Sequence, residues 1–202
     1  MRLEMRVRYF IVLVFGLLMA SCSNTKLTQS WVEEEHGKPY HHPMIIGISD
    51  SQQTRQIYEK HFVAELDKKN ITATPSYKLI NSKQKMNRET VVNAIQGTEI
   101  DSVLITYLVS SDTEVRYNES PLSQGYSSDT DNKVSATMIS TRGRTSSAEI
   151  ITLKNDLYDA ENKSLVWTAQ TRTVAPESID EVVTDVTELL IGQLIDDGIL
   201  KQ

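Results

Sequence analysis

The sequence predicts an α/β fold: a single mixed β-sheet, in which a parallel β-α-β-α-β unit is followed by an antiparallel hairpin, with helices on its faces. Three observations carry this prediction. Two continuous apolar runs, Met44-Ile45-Ile46-Gly47-Ile48-Ser49 and Ser102-Val103-Leu104-Ile105-Thr106-Tyr107-Leu108-Val109, read as strands buried on both faces. Segments of helical period joined by short links stand between them, which implies a parallel arrangement. Two β-rich runs around a turn then precede a last amphipathic stretch.

After the first apolar run, Asp50-Ser51 reads as a helix N-cap signal and residues 52–69 as the helix. Tyr58, Phe62 and Leu66 recur at i, i+4, i+8, with Ile57 and Ala64 widening the stripe. Asn70 is the stop. Residues 71–80 are expected as a strand that Pro75 confines to an edge or bulge. Asn87 caps a second helix over 89–96, which faces Val91, Val92 and Ile95 inward and ends at Gly97. The second apolar run follows. Right-handed crossovers then place the three strands in the spatial order 2-1-3.

From Ser110 to Ser147 the chain turns rich in Ser, Thr and Asp and loses any helical period. A structureless stretch this long inside a domain is expected to be functional or mobile. Short strands at 113–117 and 134–139 would extend from the sheet. The hairpin comes next, with strands at 148–158 and 165–174 around Asp159-Ala160-Glu161-Asn162-Lys163. Leu165, Trp167 and Ala169 should share a face. Ser178 and Glu181 have capping-box spacing at the head of the closing helix. Ile179, Val182, Val183, Val186, Leu190 and Leu194 keep its period to about Asp197, and Gly198 ends it.

The first 43 residues read differently. Arg2, Arg6 and Arg8 precede an apolar run at 9–19, then small residues, which is the order of a secretory signal peptide. The run is shorter than the roughly 20 apolar residues a bilayer span needs. The ending Ala20-Ser21-Cys22 resembles the lipobox of bacterial lipoproteins, with Met19 where Leu is more usual. That resemblance implies cleavage before Cys22, a diacylglyceryl thioether on its sulfur and an acylated amino terminus. Cys22 is the only cysteine, so no thiol would remain for a disulfide, a thiolate zinc site or a nucleophile. Ser23 stands where an Asp would resemble an inner-membrane retention signal, so the resemblance implies an outer-membrane location facing the periplasm. The domain reading is therefore a signal peptide at 1–21, a flexible tether at 22–43 and one α/β domain at 44–202 with a polar excursion at about 110–147.

The net charge is −6, and residues 1–21 carry three Arg and one Glu, so the chain without them stands at −8. An acidic domain lacks the basic face that nucleic acid requires, and anionic headgroups repel it. Attachment to a membrane then rests on the lipid, and two or more acyl chains hold stably.

Known chemical constellations are few. His36, His41 and His42 lie in the tether and read as solvated; His61 reads as a border residue on the first helix. Asp129-Thr130-Asp131-Asn132 begins like a calcium loop but has Val134 where Gly is needed and Ser140 where Glu is needed. Ser82-Lys83-Gln84-Lys85 matches S-x-x-K without its companion motifs. No cofactor and no metal are expected. Asp50, at a strand's carboxyl end, reads first as a helix cap.

Several short marks resemble a group of bacterial envelope lipoproteins of uncharacterised function. They are Ile46-Gly47-Ile48 before an Arg-bearing helix, Thr74-Pro75-Ser76-Tyr77, Asp101-Ser102-Val103-Leu104, and Asp156-Leu157-Tyr158-Asp159 paired with Leu165-Val166-Trp167. The element order is also similar to the folds of the curli-secretion lipoprotein CsgG, the periplasmic domain of the synthase activator LpoB and the amino-terminal domain of TolB. Topology does not carry function. Two function classes follow. One is a non-enzymatic binding module contacting an envelope protein or peptidoglycan-synthesis component. The other is an envelope enzyme with a site near the strand ends at Asp50 and Asp112. An oligomeric pore would need membrane strands alternating over about ten residues each, and the 110–147 segment is too polar for that.

Overall fold

The computed structural model describes residues 24–34, 37, 39–81, 83–118, 126–128, 134–136 and 144–201. The signal-peptide reading, Cys22, His36, Ser82 and the Asp129–Asn132 stretch lie outside the described residues. The fold is one mixed, open, six-stranded sheet with three helices. Its strands are β1 (Thr25–Val32), β2 (Pro43–Ile48), β3 (Thr74–Pro75), β4 (Ser102–Asn118), β7 (Arg144–Asp159) and β8 (Leu165–Val174), in spatial order β1-β8-β7-β4-β2-β3. β2 pairs in parallel with β3 and β4, and the remaining neighbours are antiparallel. β5 (Tyr126–Ser128) and β6 (Val134–Ala136) form a separate two-stranded sheet.

The helices are α1 (Gln52–Asp67), α2 (Arg88–Ile95) and α3 (Ile179–Asp196). Each opens on a side-chain cap. Ser51 Oγ accepts from Thr54 N at 3.2 Å, Asn87 Oδ1 from Thr90 N at 2.9 Å, and Ser178 Oγ from Glu181 N at 3.1 Å. The cap of α1 is therefore Ser51, and Asp50 is an exposed residue beside it. Gly97 and Gly198, with φ of 75° and 72°, end α2 and α3 in the left-handed region that glycine enters without steric cost.

Alternation along β2 divides the core in two. Ile45 points to the face that α1 and α3 cover, with Leu104, Leu157, Trp167 and Ala169 from neighbouring strands. Tyr58, Phe62 and Leu66 meet them from α1, and Val182, Val183, Val186, Leu190, Ile191 and Leu194 from α3. Met44, Ile46 and Val103 point to the other face, where α2 brings Val91, Ala94 and Ile95. On the helix-packed face, Trp167 Nε1 donates to Asp197 Oδ2 at 2.8 Å, so the buried indole is satisfied. Gly47 is needed at its place, because a Cβ there would lie 2.8 Å from Tyr58 Cδ1.

Several expectations are corrected. The tether at 22–43 is not a tether over most of its length. Thr25–Val32 is an edge strand, because β8 offers it a free antiparallel edge and Leu27 and Val32 add to the core. Tyr40 is fully buried, bridges to Leu200 and donates its hydroxyl to Asp159 Oδ2 at 2.9 Å. The strand at 71–80 shrinks to two residues. Pro75 has no N–H to donate, and the chain then curls into a 3-10 turn, Ser76–Lys78, held by Glu59. Ile57, Ala64 and Ile179 face solvent instead of the core. On α1 it is Val63 that flanks the stripe, while Glu59 occupies a buried position. Leu165 leaves the Trp167 face because Leu157 pairs with Trp167 and Tyr158 with Leu165, so Val166 bulges inward instead. The excursion is shorter than predicted. β4 and β7 stay paired from Ser102↔Asp159 to Asn118↔Arg144, so residues 110–118 and 144–147 belong to a two-stranded ribbon. Main-chain ladder bonds need no apolar period, which is why polar residues carry it.

Candidate functional site: the open face of the sheet

α2 is only eight residues long and covers one end of its face. Cross-strand register sets out the rest in rows. One row reads Ile46, Ile105, Asp156, Thr168, Trp31 across β2, β4, β7, β8 and β1, and the next reads Ile48, Tyr107, Lys154, Gln170, Gln29. Directly opposed residues point to the same side of a sheet, so both rows share the face that α2 leaves uncovered.

The centre of this face is polar. Asp156 is 4% exposed and accepts three groups: Tyr107 Oη at 3.1 Å and Lys154 Nζ at 3.2 Å on Oδ2, and Thr168 Oγ1 on Oδ1. Lys154 Nζ also lies 5.7 Å from the centroid of the Tyr107 ring. Hydrogen bonding to Tyr107, then to Asp156, raises the Lys154 pKa, so the ammonium stays charged and is no nucleophile. Burial raises the Tyr158 phenol, helped by the Asp156 charge. The Asp156 carboxylate is engaged by three donors from the protein, whereas the half-exposed ammonium keeps donors turned to solvent. An apolar rim surrounds this centre: Trp31 is 45% exposed, Ile48 45% and Val109, the bulge residue of β4, 50%.

Between α2 and the sheet lies a cavity of about 380 Å³, lined by Ile46, Ile48, Val91, Ile105 and Tyr158, with Arg88 and Lys163 at its border. The arrangement suits a partner that lays apolar groups on the rim and hydrogen-bond acceptors on Lys154.

The predicted site residues fall elsewhere. Asp50 and Asp112 are both exposed, and neither lines this cavity. Asp112 is not at a strand end at all: it sits within β4, opposite Ile150. His41 and His42 donate their backbone N–H groups to Asp101 at 2.7 and 3.1 Å, and His42 Nε2 meets Thr74 Oγ1 at 2.9 Å. Among the described residues no three His, Cys, Asp or Glu side chains cluster as a metal site. Among the same residues no helix is long and apolar enough to cross a membrane.

The sequence reading missed Glu59. Its buried carboxylate accepts from Gly47 N at 3.1 Å, Arg55 Nε at 2.8 Å and Ser76 Oγ at 2.6 Å on Oε1, and from Tyr77 N at 2.9 Å on Oε2. It ties α1 to β2 and to the 3-10 turn. The sole hint was the i, i+4 spacing of Arg55 and Glu59, which also marks ordinary surface pairs. A second chain runs from Tyr58 Oη to Thr106 Oγ1 at 2.6 Å, on to Asn155 Oδ1 at 2.8 Å, and from Asn155 Nδ2 to Ala169 O at 3.2 Å. These interior carboxylate and hydroxyl groups are engaged in holding the fold.

No protein-family model matches the sequence, and no curated protein matches it. Among solved structures, a PelC dodecamer from Paraburkholderia phytofirmans is similar with 10% identity and a TM-score of 0.46, over 88% of this chain and 99% of that one. Lipoprotein GNA1162 from Neisseria meningitidis is similar with 11% identity and a TM-score of 0.41, over 77% of this chain and 98% of that one. A PDZ domain protein from Parabacteroides distasonis shares 8% identity with a TM-score of 0.36, over 90% of this chain and 39% of that one.

Proposed function

We propose that this protein is an outer-membrane lipoprotein, held by acyl chains on Cys22 and facing the periplasm, whose α/β domain is a non-enzymatic module that binds another envelope component. The anchor rests on the lipobox resemblance. The binding role rests on one observation: among the described residues, the β7, β8 and β1 part of one sheet face has no covering helix and carries apolar side chains around the Lys154 ammonium. Large apolar side chains exposed together on one surface are a mark of interaction sites.

Two experiments test this. Cys22→Ser should abolish acylation and release the chain from membranes in a carbonate wash; a variant that still sediments with membranes would sink the anchor. A photo-crosslinking residue at Trp31 should give a discrete adduct in the native envelope, while the same residue at Lys60, on the outer side of α1, should give none. Equal adducts from both positions, or none from Trp31, would refute binding through the open face.

A further inference from the structure

The corner of the domain where β1 begins lies almost at the anchor. Thr25 opens β1 opposite Thr173, and their hydroxyls are 2.8 Å apart. Asn24 O already accepts from Val174 N at 3.2 Å. Ser23 alone separates Asn24 from Cys22. Two trans peptide steps span at most about 7 Å. If Cys22 carries the lipid, which is the anchoring part of the function proposed above, this corner sits at the bilayer surface with no room to stand away from it.

The same corner emits the ribbon. The row that begins with Thr25 continues through Thr173 and Ile151 to Ser111. β1 stops there and β8 one residue beyond, at Val174, but β4 and β7 run on in register from Asp112↔Ile150 to Asn118↔Arg144. That extension is roughly 23 Å at about 3.3 Å per residue, some three times the reach of the tether. The opposite end of these strands, at Asp159, lies about 26 Å away from the Thr25 row by the same rise.

We infer that the bilayer holding the Cys22 lipid also carries the β4–β7 ribbon on its headgroup layer, which sets the domain with its Asp159 turn pointing away from the membrane. Strand twist of about 20–25° per neighbour turns β7 by roughly 45° from β1, so the ribbon meets the surface at a slant. It does not enter the hydrocarbon. Ser111-Asp112-Thr113-Glu114-Val115-Arg116-Tyr117-Asn118 carries a charge or amide at every second position, and its partner strand from 144 to 149 supplies no apolar face, as a lipid-facing strand must. Ile179, 62% exposed in the first turn of α3 and five residues beyond Val174, adds one apolar side chain at this end.

The test exploits the cysteine count. With its sulfur held in the thioether, the chain has no free thiol, so a cysteine introduced by Thr113→Cys or Lys163→Cys takes a fluorophore at one place. The lipidated, labelled chains are reconstituted in zwitterionic phosphatidylethanolamine–phosphatidylcholine vesicles carrying a headgroup nitroxide quencher. Quenching should be several-fold stronger for the ribbon probe than for the turn probe. Inserting ten Gly-Ser residues between Ser23 and Asn24 should remove most of that difference. Equal quenching of vesicle-bound chains, or quenching unchanged by the insertion, overturns the orientation and leaves the anchor standing. A chain whose Cys22 thiol is still free overturns the anchor and this inference together.

Discussion

The two faces of the sheet are built from the same strands and are finished differently. On one, α1 and α3 seal Trp167, Leu157, Ile45 and Leu104 from water, and the polar groups Glu59, Asn155 and Thr106 hold partners inside the protein. On the other, α2 covers the β2 and β4 end, and the remaining surface carries Trp31, Val109 and Lys154 half exposed. The contrast separates side chains whose removal should unfold the domain from those whose removal should only blind it. A tryptophan on each face, Trp167 and Trp31, lets the two be compared directly.

The largest effects belong to the sealed face. Trp167→Ala should cost about 3–5 kcal/mol, as aromatic truncations in cores do, read from the urea midpoint. Glu59→Ala should cost a similar amount, about 3–5 kcal/mol, because it leaves the Arg55 guanidinium buried without its carboxylate. Either variant unfolding within 1 kcal/mol of the parent would break the comparison on that side.

Alkaline pH probes the same face without mutation. Burial pushes the Tyr58 phenol well above its ordinary value near 10; the hydrogen bond to Thr106 opposes this and the Glu59 charge adds to it. Burial, then the Asp159 hydrogen bond and charge, does the same to Tyr40. The folded state therefore keeps protons that the unfolded chain releases. Stability is full below about pH 10 and falls as pH rises beyond it, by up to about 1.4 kcal/mol per pH unit for each tyrosine. Urea midpoints at pH 9, 10.5 and 11.5 should show the decline, and Tyr58→Phe should make it shallower.

The distribution of misses in the sequence follows the same division. β2, α1, β4, the β7–β8 hairpin and α3 were legible because burial on the sealed face imposes an apolar period on them. The caps Asn87 and Ser178 were legible from side-chain chemistry, whereas for α1 the Asp50-Ser51 pair was legible and the cap is Ser51 rather than Asp50. β1 was not, since Thr-Lys-Leu-Thr-Gln-Ser-Trp-Val buries one side only and its bulge between Leu27 and Gln29 breaks the alternation. Of the ribbon, the strand at 113–117 was legible; its continuity with β4 and its pairing with residues 144–147 were not, because a main-chain ladder leaves no mark on polar residues. The open face depends on register across five strands, which no local spacing encodes. Asp50, read first as a cap, and Asp112 marked the alternative site at strand ends, yet Asp112 lies within β4 opposite Ile150.

A small effect sharpens the account of the sealed face. Thr187 is fully buried and its hydroxyl has no hydrogen-bond partner among the described residues, as is true of Thr171 on β8. An unsatisfied buried hydroxyl is a cost, so Thr187→Val should leave the protein as stable or more stable by about 1 kcal/mol in thermal unfolding. A clear loss would mean the hydroxyl has a role in the packed interior.

The most direct test of the division between the faces is the double variant Trp31→Ala, Val109→Ala, measured for urea unfolding and for complementation of the null phenotype in cells. Both side chains are about half exposed, so the stability change should stay within about 1 kcal/mol. The account predicts a folded, normally anchored protein that fails to complement. A variant that folds, anchors and complements fully would contradict the claim that the open face is where this protein binds.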